Sequence, residues 1–394
     1  MMEEQVAEVQ AWSRISDAFS IDHPFFKNLY YWEGFDISSN VYLLKTGSGI
    51  ALIDPGNDYT AFHYLFSRTG LVTAPTDIRY VILTHGHSEH ALGLFELLRS
   101  YPSLRLPENS LTVYLHDHAP GALKELAGQL GCRLVFLQDG QEIPLGEFTL
   151  RAIYTPGHTM DSLCYFHEDT RSLFSGDTVL PFAVASPDPV GGGRGDYHLL
   201  AMRILRGLGV EHLFPGHGEP VKNEAAKVLD GNYAGLIKKA IGLQCPWIEG
   251  AQMLLRKGYL DETIFCCEKV LEEDPGNRAA LYLKACCLND LGRFEEALSV
   301  FKEIEKSGAS DNPLYFVGYG CALMGRGQYE ESLAYFDKAL SLAPGLENAL
   351  IYKGLALYLS GRVDEAMDIE AFARAFTGHL KEELLKTYGS KDEK

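Results

Sequence analysis

No stretch of the 394 residues approaches the ~18 consecutive apolar side chains that span a bilayer, so a transmembrane helix is not expected. Lys and Arg do not cluster either. The 35 basic residues face 53 acidic ones, and the net charge of −18 is spread as −10 up to residue 243 and −8 beyond it. A sequence-independent grip on nucleic acid or on an anionic membrane needs clustered cations, so neither partner is expected, and the charge reads as solubility. The opening residues, MMEEQVAEVQAWSRISDAF, carry acids and no apolar core, unlike a signal peptide. The eight cysteines are therefore expected to stay reduced, in a cytoplasm. No G-x-S-x-G elbow is present, and the G-x-G at Gly191-Gly192-Gly193 has neither a preceding strand nor a P-loop Lys. Histidine is also nearly missing from the last part of the chain: of 13, only His379 lies beyond His217. Histidine is the commonest metal ligand and acid–base residue, so any chemistry belongs to the earlier part.

What is present suits a soluble multidomain protein, with 46% hydrophobic and 22% charged residues and a length of two or three domains. From Asn40 to Phe214, short β-rich runs alternate with helical ones. Strands are expected at 40–46, 49–54, 79–84, 112–116, 134–137, 147–155, 162–166, 171–176 and 211–216. Helices fit at 58–69, 90–100, 119–130 and 196–208, which implies sheets covered by helices in an α+β or α/β architecture. After about residue 244 the strand signals stop.

There, glycines recur at Gly258, Gly292, Gly327 and Gly361, and five residues past each lies Thr263, Ala297, Ser332 or Ala366. The phrases RFEEALSVF (293–301), QYEESLAYF (328–336) and RVDEAMDIE (362–370) are one phrase rewritten, and Pro275 and Pro344 close two of the units. Small residues let paired helices approach, Gly turns the chain and Pro ends the second helix. The pattern resembles the tetratricopeptide repeat, an all-α solenoid, with four repeats starting near 244, 278, 313 and 347. Two departures stand out: Ala309 at the closing Pro position of the second repeat and Glu370 at an aromatic position of the fourth. The expected domains are 1–243, the repeats at 244–378, and a capping helix or tail at 379–394. Cys266-Cys267 and Cys286-Cys287 fall on consecutive helices. Adjacent helical residues diverge by about 100°, so packing rather than metal binding is expected of them.

The sharpest motif is Thr84-His85-Gly86-His87-Ser88-Glu89-His90, directly after the apolar run YVIL. It gathers three imidazoles and a carboxylate at a strand-to-helix switch, a good place for metal. Downstream, three further strand ends each carry one ligand-type side chain after a small-residue turn: His158, Asp177 and His217. Together these residues resemble the metallo-β-lactamase fold superfamily over about residues 35–225. The resemblance implies an αββα sandwich and two divalent metal ions. The first site would be His85, His87 and His158; the second would be Glu89, His90 and His217, with Asp177 bridging. Ile53-Asp54-Pro55-Gly56 matches an early turn whose Asp54 would support the ligands without binding metal. Glu89 stands where that family usually has Asp, and its longer side chain either reaches the metal or swings away. Zinc is the default for such donors, while iron and manganese also suit them.

A metal-activated hydroxide, with Asp177 and Glu89 placed at the reaction centre, implies attack on an ester, thioester or lactone-type small molecule, as in glyoxalase II-like members. Arg194, Tyr197 and His198 follow the Asp177 loop and are candidates to meet substrate, against a bland alternative of a flexible loop capped by Asp196. His116 and His118 are expected to be structural. The repeats would bind a protein or peptide partner or form a homodimer. Two other readings stay open: an iron-containing redox enzyme of the same fold, and an interaction scaffold with an altered enzyme domain.

Overall fold

The computed structural model describes residues 11–67, 69–306 and 311–388, with side chains to residue 379. The alternating patterns of the first part become two sheets. The first has seven strands in chain order: β1 (Ser13–Arg14), β2 (Leu29–Trp32), β3 (Val41–Thr46), β4 (Gly49–Ile53), β5 (Ile78–Ile82), β6 (Thr112–His116) and β7 (Arg133–Leu137). Strands β1 to β4 pair antiparallel, and β4 to β7 pair parallel. The second sheet contains β8 (Glu142–Leu145), β9 (Phe148–Tyr154), β10 (Leu163–His167), β11 (Ser172–Gly176) and β12 (His212–Pro215), in the order β12-β11-β10-β9-β8. Its pairs are antiparallel except β11 with β12.

Period-two alternation sorts each strand's side chains into two cores. Tyr42, Leu44, Ala51, Ile53 and Ile82 of the first sheet meet Leu150, Tyr165, Phe174 and Phe214 of the second. Val41, Leu43, Leu52, Val81 and Val113 point the other way, packing on helices of the outer layer. The helices of this unit are α1 (Ile15–Phe19), α2 (Pro24–Asn28), α3 (Tyr59–Ser67), α4 (Ser88–Ser100), α5 (Gly121–Gln129), α6 (Gly195–Gly207) and α7 (Ala225–Ile241). Leu65 of α3, Leu94 and Leu97 of α4 and Leu123 of α5 complete the outer core. The far face of the second sheet, including Cys164, Phe166 and Leu173, is buried too, as expected of an αββα sandwich. Strands β9, β11 and β12 run the same way, so their C-terminal ends open on one edge. The expected strands and helices between 40 and 216 are all present. The structure adds β1, β2, β8, α1 and α2.

The chain divides into two compact units between Ala240 and Ile241. The second is built from helix pairs: α8 (Trp247–Arg256) with α9 (Leu260–Glu273), α10 (Arg278–Asp290) with α11 (Phe294–Lys306), and α12 (Pro313–Gly325) with α13 (Tyr329–Leu342). Then come α14 (Glu347–Leu359), α15 (Val363–Met367) and α16 (Glu370–Tyr388). Each periodic glycine sits between helices at positive φ: 79° at Gly258, 73° at Gly292, 76° at Gly327 and 85° at Gly361. That left-handed turn disfavours a Cβ. Thr263, Ala297, Ser332 and Ala366 are wholly buried.

The fourth pair is different. Phe301, buried in the second repeat, corresponds to the exposed Glu370. Without that apolar anchor the helix breaks after Met367, restarts at Glu370 and packs Phe372 over Gly354 instead. The region expected to cap the stack continues α16 to Tyr388, and residues 389–394 lie outside the described residues. Cys266, Cys267 and Cys287 are buried and all eight cysteines are free. Among the described residues, no helix is long and apolar enough to cross a membrane.

Candidate metal centre

Each candidate ligand sits just past the end of a strand. Asp54 follows β4, and the stretch from Thr84 to His90 links β5 to α4. His158 follows β9, Asp177 follows β11, and His217 follows β12. Among the described residues, two groups of donor atoms lie within 4.8 Å of one another: His85, His87 and His158, and His85, His90 and Asp177. His217 and Glu89 border these groups. His217 Nε2 is 3.6 Å from Asp177 Oδ2, and Glu89 Oε1 is 3.7 Å from His87 Nδ1. The Glu89 carboxylate also accepts a hydrogen bond from Ser88 Oγ at 3.0 Å. It thus faces His87, whereas the sequence reading grouped it with His90 and His217.

The outward nitrogens of four rings are held by oxygen acceptors. His90 Nδ1 donates to Asp54 Oδ2 at 2.8 Å, and His87 Nε2 donates to Asp188 Oδ2 at 3.0 Å. His158 Nδ1 donates to the Ser186 carbonyl at 2.8 Å. Thr84 Oγ1 gives its own proton to Asp54 Oδ2 at 2.6 Å, so it accepts from His85 Nδ1 at 3.1 Å. Each outward nitrogen therefore carries the proton, so that each ring, in its neutral form, turns a lone pair inward. Those lone pairs crowd together: His85 Nε2 and His87 Nδ1 are 3.0 Å apart, and His158 Nε2 is 3.2 Å from His87 Nδ1. His90 Nε2 and Asp177 Oδ1 are buried 3.3 Å apart, and neither makes a hydrogen bond. Lone pairs converging beside an unsatisfied carboxylate repel one another unless a cation lies between them. The donor set fits divalent metal.

The charges agree. Burial opposes charge on His90, but the Asp177 and Asp54 carboxylates outweigh it and raise the ring to about 10. Burial and the neighbouring imidazoles hold His85 well below the usual histidine range. Burial would raise Asp177, but His90, His85 and His217 keep it far below the usual carboxylate range. One glycine is needed for this approach: a Cβ on Gly216 would strike Asp177 Oδ1 and the His90 ring.

Asp54 is 2% exposed, and its side chain accepts from Thr84 and from the outward nitrogen of His90. Its backbone takes the left-handed φ of 47°, a strain typical of functional sites. His198 is corrected. It is wholly buried and donates from Nε2 to the Thr178 carbonyl at 2.8 Å, leaving no surface for a substrate. Arg194 is exposed, pairs with Asp196 at 2.6 Å and lies 4.3 Å from the Tyr197 ring centroid. His116 stacks on Tyr154 at 4.3 Å, and His118 contacts the same hydroxyl at 3.3 Å.

The sequence reading missed Thr84, Ser186 and Asp188 as supports. Thr84 stood inside the motif, adjacent to His85. Asp188 lies on a loop 101 residues from His87, and its only local sign is the Asp-Pro turn dipeptide.

Residues 34–217 match the metallo-β-lactamase superfamily model, and residues 254–316 and 313–346 match tetratricopeptide-repeat models. Among curated proteins, this chain is similar to the lactamase-like protein ptaB of Pestalotiopsis fici, at 28% identity over 48% of this chain and 53% of that one. It is similar at 29% to an atrochrysone carboxyl ACP thioesterase of Aspergillus fumigatus, over 48% of this chain and 54% of that one. The chain thus spans about half the length of these relatives. A metallo-β-lactamase family protein of Thermus thermophilus aligns with a TM-score of 0.42 and 22% identity, covering 62% of this chain and 94% of that one. The sequence motifs and the family matches agree: residues 34–217 carry a metallo-β-lactamase superfamily domain, and residues 254–346 carry tetratricopeptide repeats.

Proposed function

We propose that the protein is a dinuclear metal-dependent hydrolase acting on a thioester, ester or lactone-type small molecule. The observation that carries this reading is the gathering of four oriented imidazoles into two donor groups that share His85, one of them containing the Asp177 carboxylate. The thioester preference rests on similarity to relatives named as an atrochrysone carboxyl ACP thioesterase and a thioesterase.

His85, His87 and His158 would hold one ion, and His90, His217 and Asp177 the other, with Asp177 shared. Bound there, two divalent ions supply Lewis acidity and lower the pKa of coordinated water towards 7. The protein's own part is orientation. Asp54 locks His90 directly and His85 through Thr84, so that neither ring has to reorganise when charge develops. Arg194 and Tyr197, beyond the Asp177 loop, are the candidates for substrate contact. The helical unit is proposed to bind a protein or peptide partner or to self-associate, since stacked repeats offer extended concave faces.

Metal analysis of protein purified without added metal, with thioester, lactone and phosphodiester assays beside His87→Ala, tests the proposal. About two ions per chain and hydrolysis that His87→Ala abolishes are expected. A His87→Ala variant that hydrolyses as well as the parent refutes it.

A further inference from the structure

The supports of the metal centre come from two separate places. His85 and His90 are held by Asp54, at the end of β4. His87 and His158 are held by one short loop, through the Asp188 carboxylate and the Ser186 carbonyl. That loop is tied to the turn carrying His158: Asp188 N donates to the His158 carbonyl at 2.8 Å, and Arg194 N donates to the Gly157 carbonyl at 2.8 Å.

Asp188 also receives Val190 N at 3.0 Å and Gly191 N at 2.8 Å. Those two bonds alone would make it a turn residue, and a turn needs no imidazole. The third bond, to His87 Nε2, is what joins the turn to the centre. It also supplies charge. The first donor group consists of imidazoles alone, whereas the second group has Asp177 within it and Asp54 behind His90. Asp188 places a negative charge one imidazole away from the first group. A carboxylate on the far nitrogen of a ligating histidine fixes its tautomer and strengthens the ring as a donor.

We infer that Asp188 is the positioning residue of the first metal site: through His87 it sets that site's affinity separately from the second. The inference rests on the dinuclear reading above. Metal-free protein is titrated with Co²⁺ by calorimetry and visible absorbance, as parent, Asp188→Ala, Asp188→Asn and His217→Ala. The parent shows two binding events. Asp188→Ala weakens one of them roughly tenfold to hundredfold, and His217→Ala weakens the other. Asp188→Asn falls between parent and Asp188→Ala, because an amide oxygen still accepts from His87 Nε2. Melting of the metal-free Asp188→Ala protein stays close to that of the parent.

A parent that binds no Co²⁺ refutes the metal reading and this inference with it. A parent with two events and an Asp188→Ala variant that matches it refutes this inference alone. Equal weakening of both events, or a loss of fold in the metal-free variant, assigns Asp188 to the turn and overturns the inference as well.

Discussion

At the scale of single residues, the centre depends on which nitrogen of each ring carries the proton. Asp54, Thr84, Ser186 and Asp188 decide that for four histidines before any ion arrives. Glu89 is the unusual member. Its carboxylate lies toward His87 and bonds Ser88, with its side chain about a quarter exposed. Shortening it in Glu89→Asp withdraws that carboxylate by one methylene from its contacts. The variant is expected to keep hydrolysis while changing metal occupancy at one site, read as metal per chain against turnover. Unchanged occupancy would show that Glu89 takes no part in binding.

At the scale of elements, the repeats are held by close helix approach. Ala297 is wholly buried on α11, and Phe301 one turn on is buried beside Tyr315 and Tyr319. Ala297→Leu overfills that contact and is expected to cost about 1–3 kcal/mol by denaturant unfolding, with metal content unchanged.

Much of this level was legible in the sequence, because periodicity and turn residues are local. The helices α10, α12 and α14 begin at the expected residues 278, 313 and 347. The strands carrying the ligands fell where alternation and small-residue turns placed them. Strands β1, β2 and β8 did not. β1 has only two residues, β8 runs EIPL with a proline inside it, and β2 runs LYYW, apolar without alternation. The split of the fourth repeat was signalled by Glu370, but its repair by Phe372 against Gly354 depends on packing between helices. Asp188 was illegible for the same reason: its partner is far away in sequence. His198 misled because a histidine beginning a helix near a ligand loop looks the same whether it faces solvent or the core.

At the scale of the whole molecule, histidines outside the centre tune the response to acid. His167 is buried, stacks on Phe25 at 3.8 Å and donates to Thr170 Oγ1 at 2.7 Å. Burial pushes it down to about 4. An unfolded histidine titrates near 6.5, so between those values the unfolded chain binds the extra proton. Stability should therefore fall as pH drops from about 6.5 to about 4, by on the order of 3 kcal/mol for this residue, and level off below. Denaturant midpoints measured across that range should show the slope, and His167→Gln should reduce it, leaving the part owed to His198, which burial also pushes down to about 4. A parent whose midpoints are level from pH 6.5 to 4 would refute the assignment.

The positions of the proposed ligands along the chain have one more consequence. They run from His85 to His217, on separate loops that come together only in the folded state, while all eight cysteines remain free thiols. A pair of ions gripping those loops would do what a disulfide does in a secreted protein: cross-link distant segments and remove loop-closure entropy from the unfolded chain. Unlike a disulfide, that cross-link is indifferent to a reducing environment and is undone by a chelator.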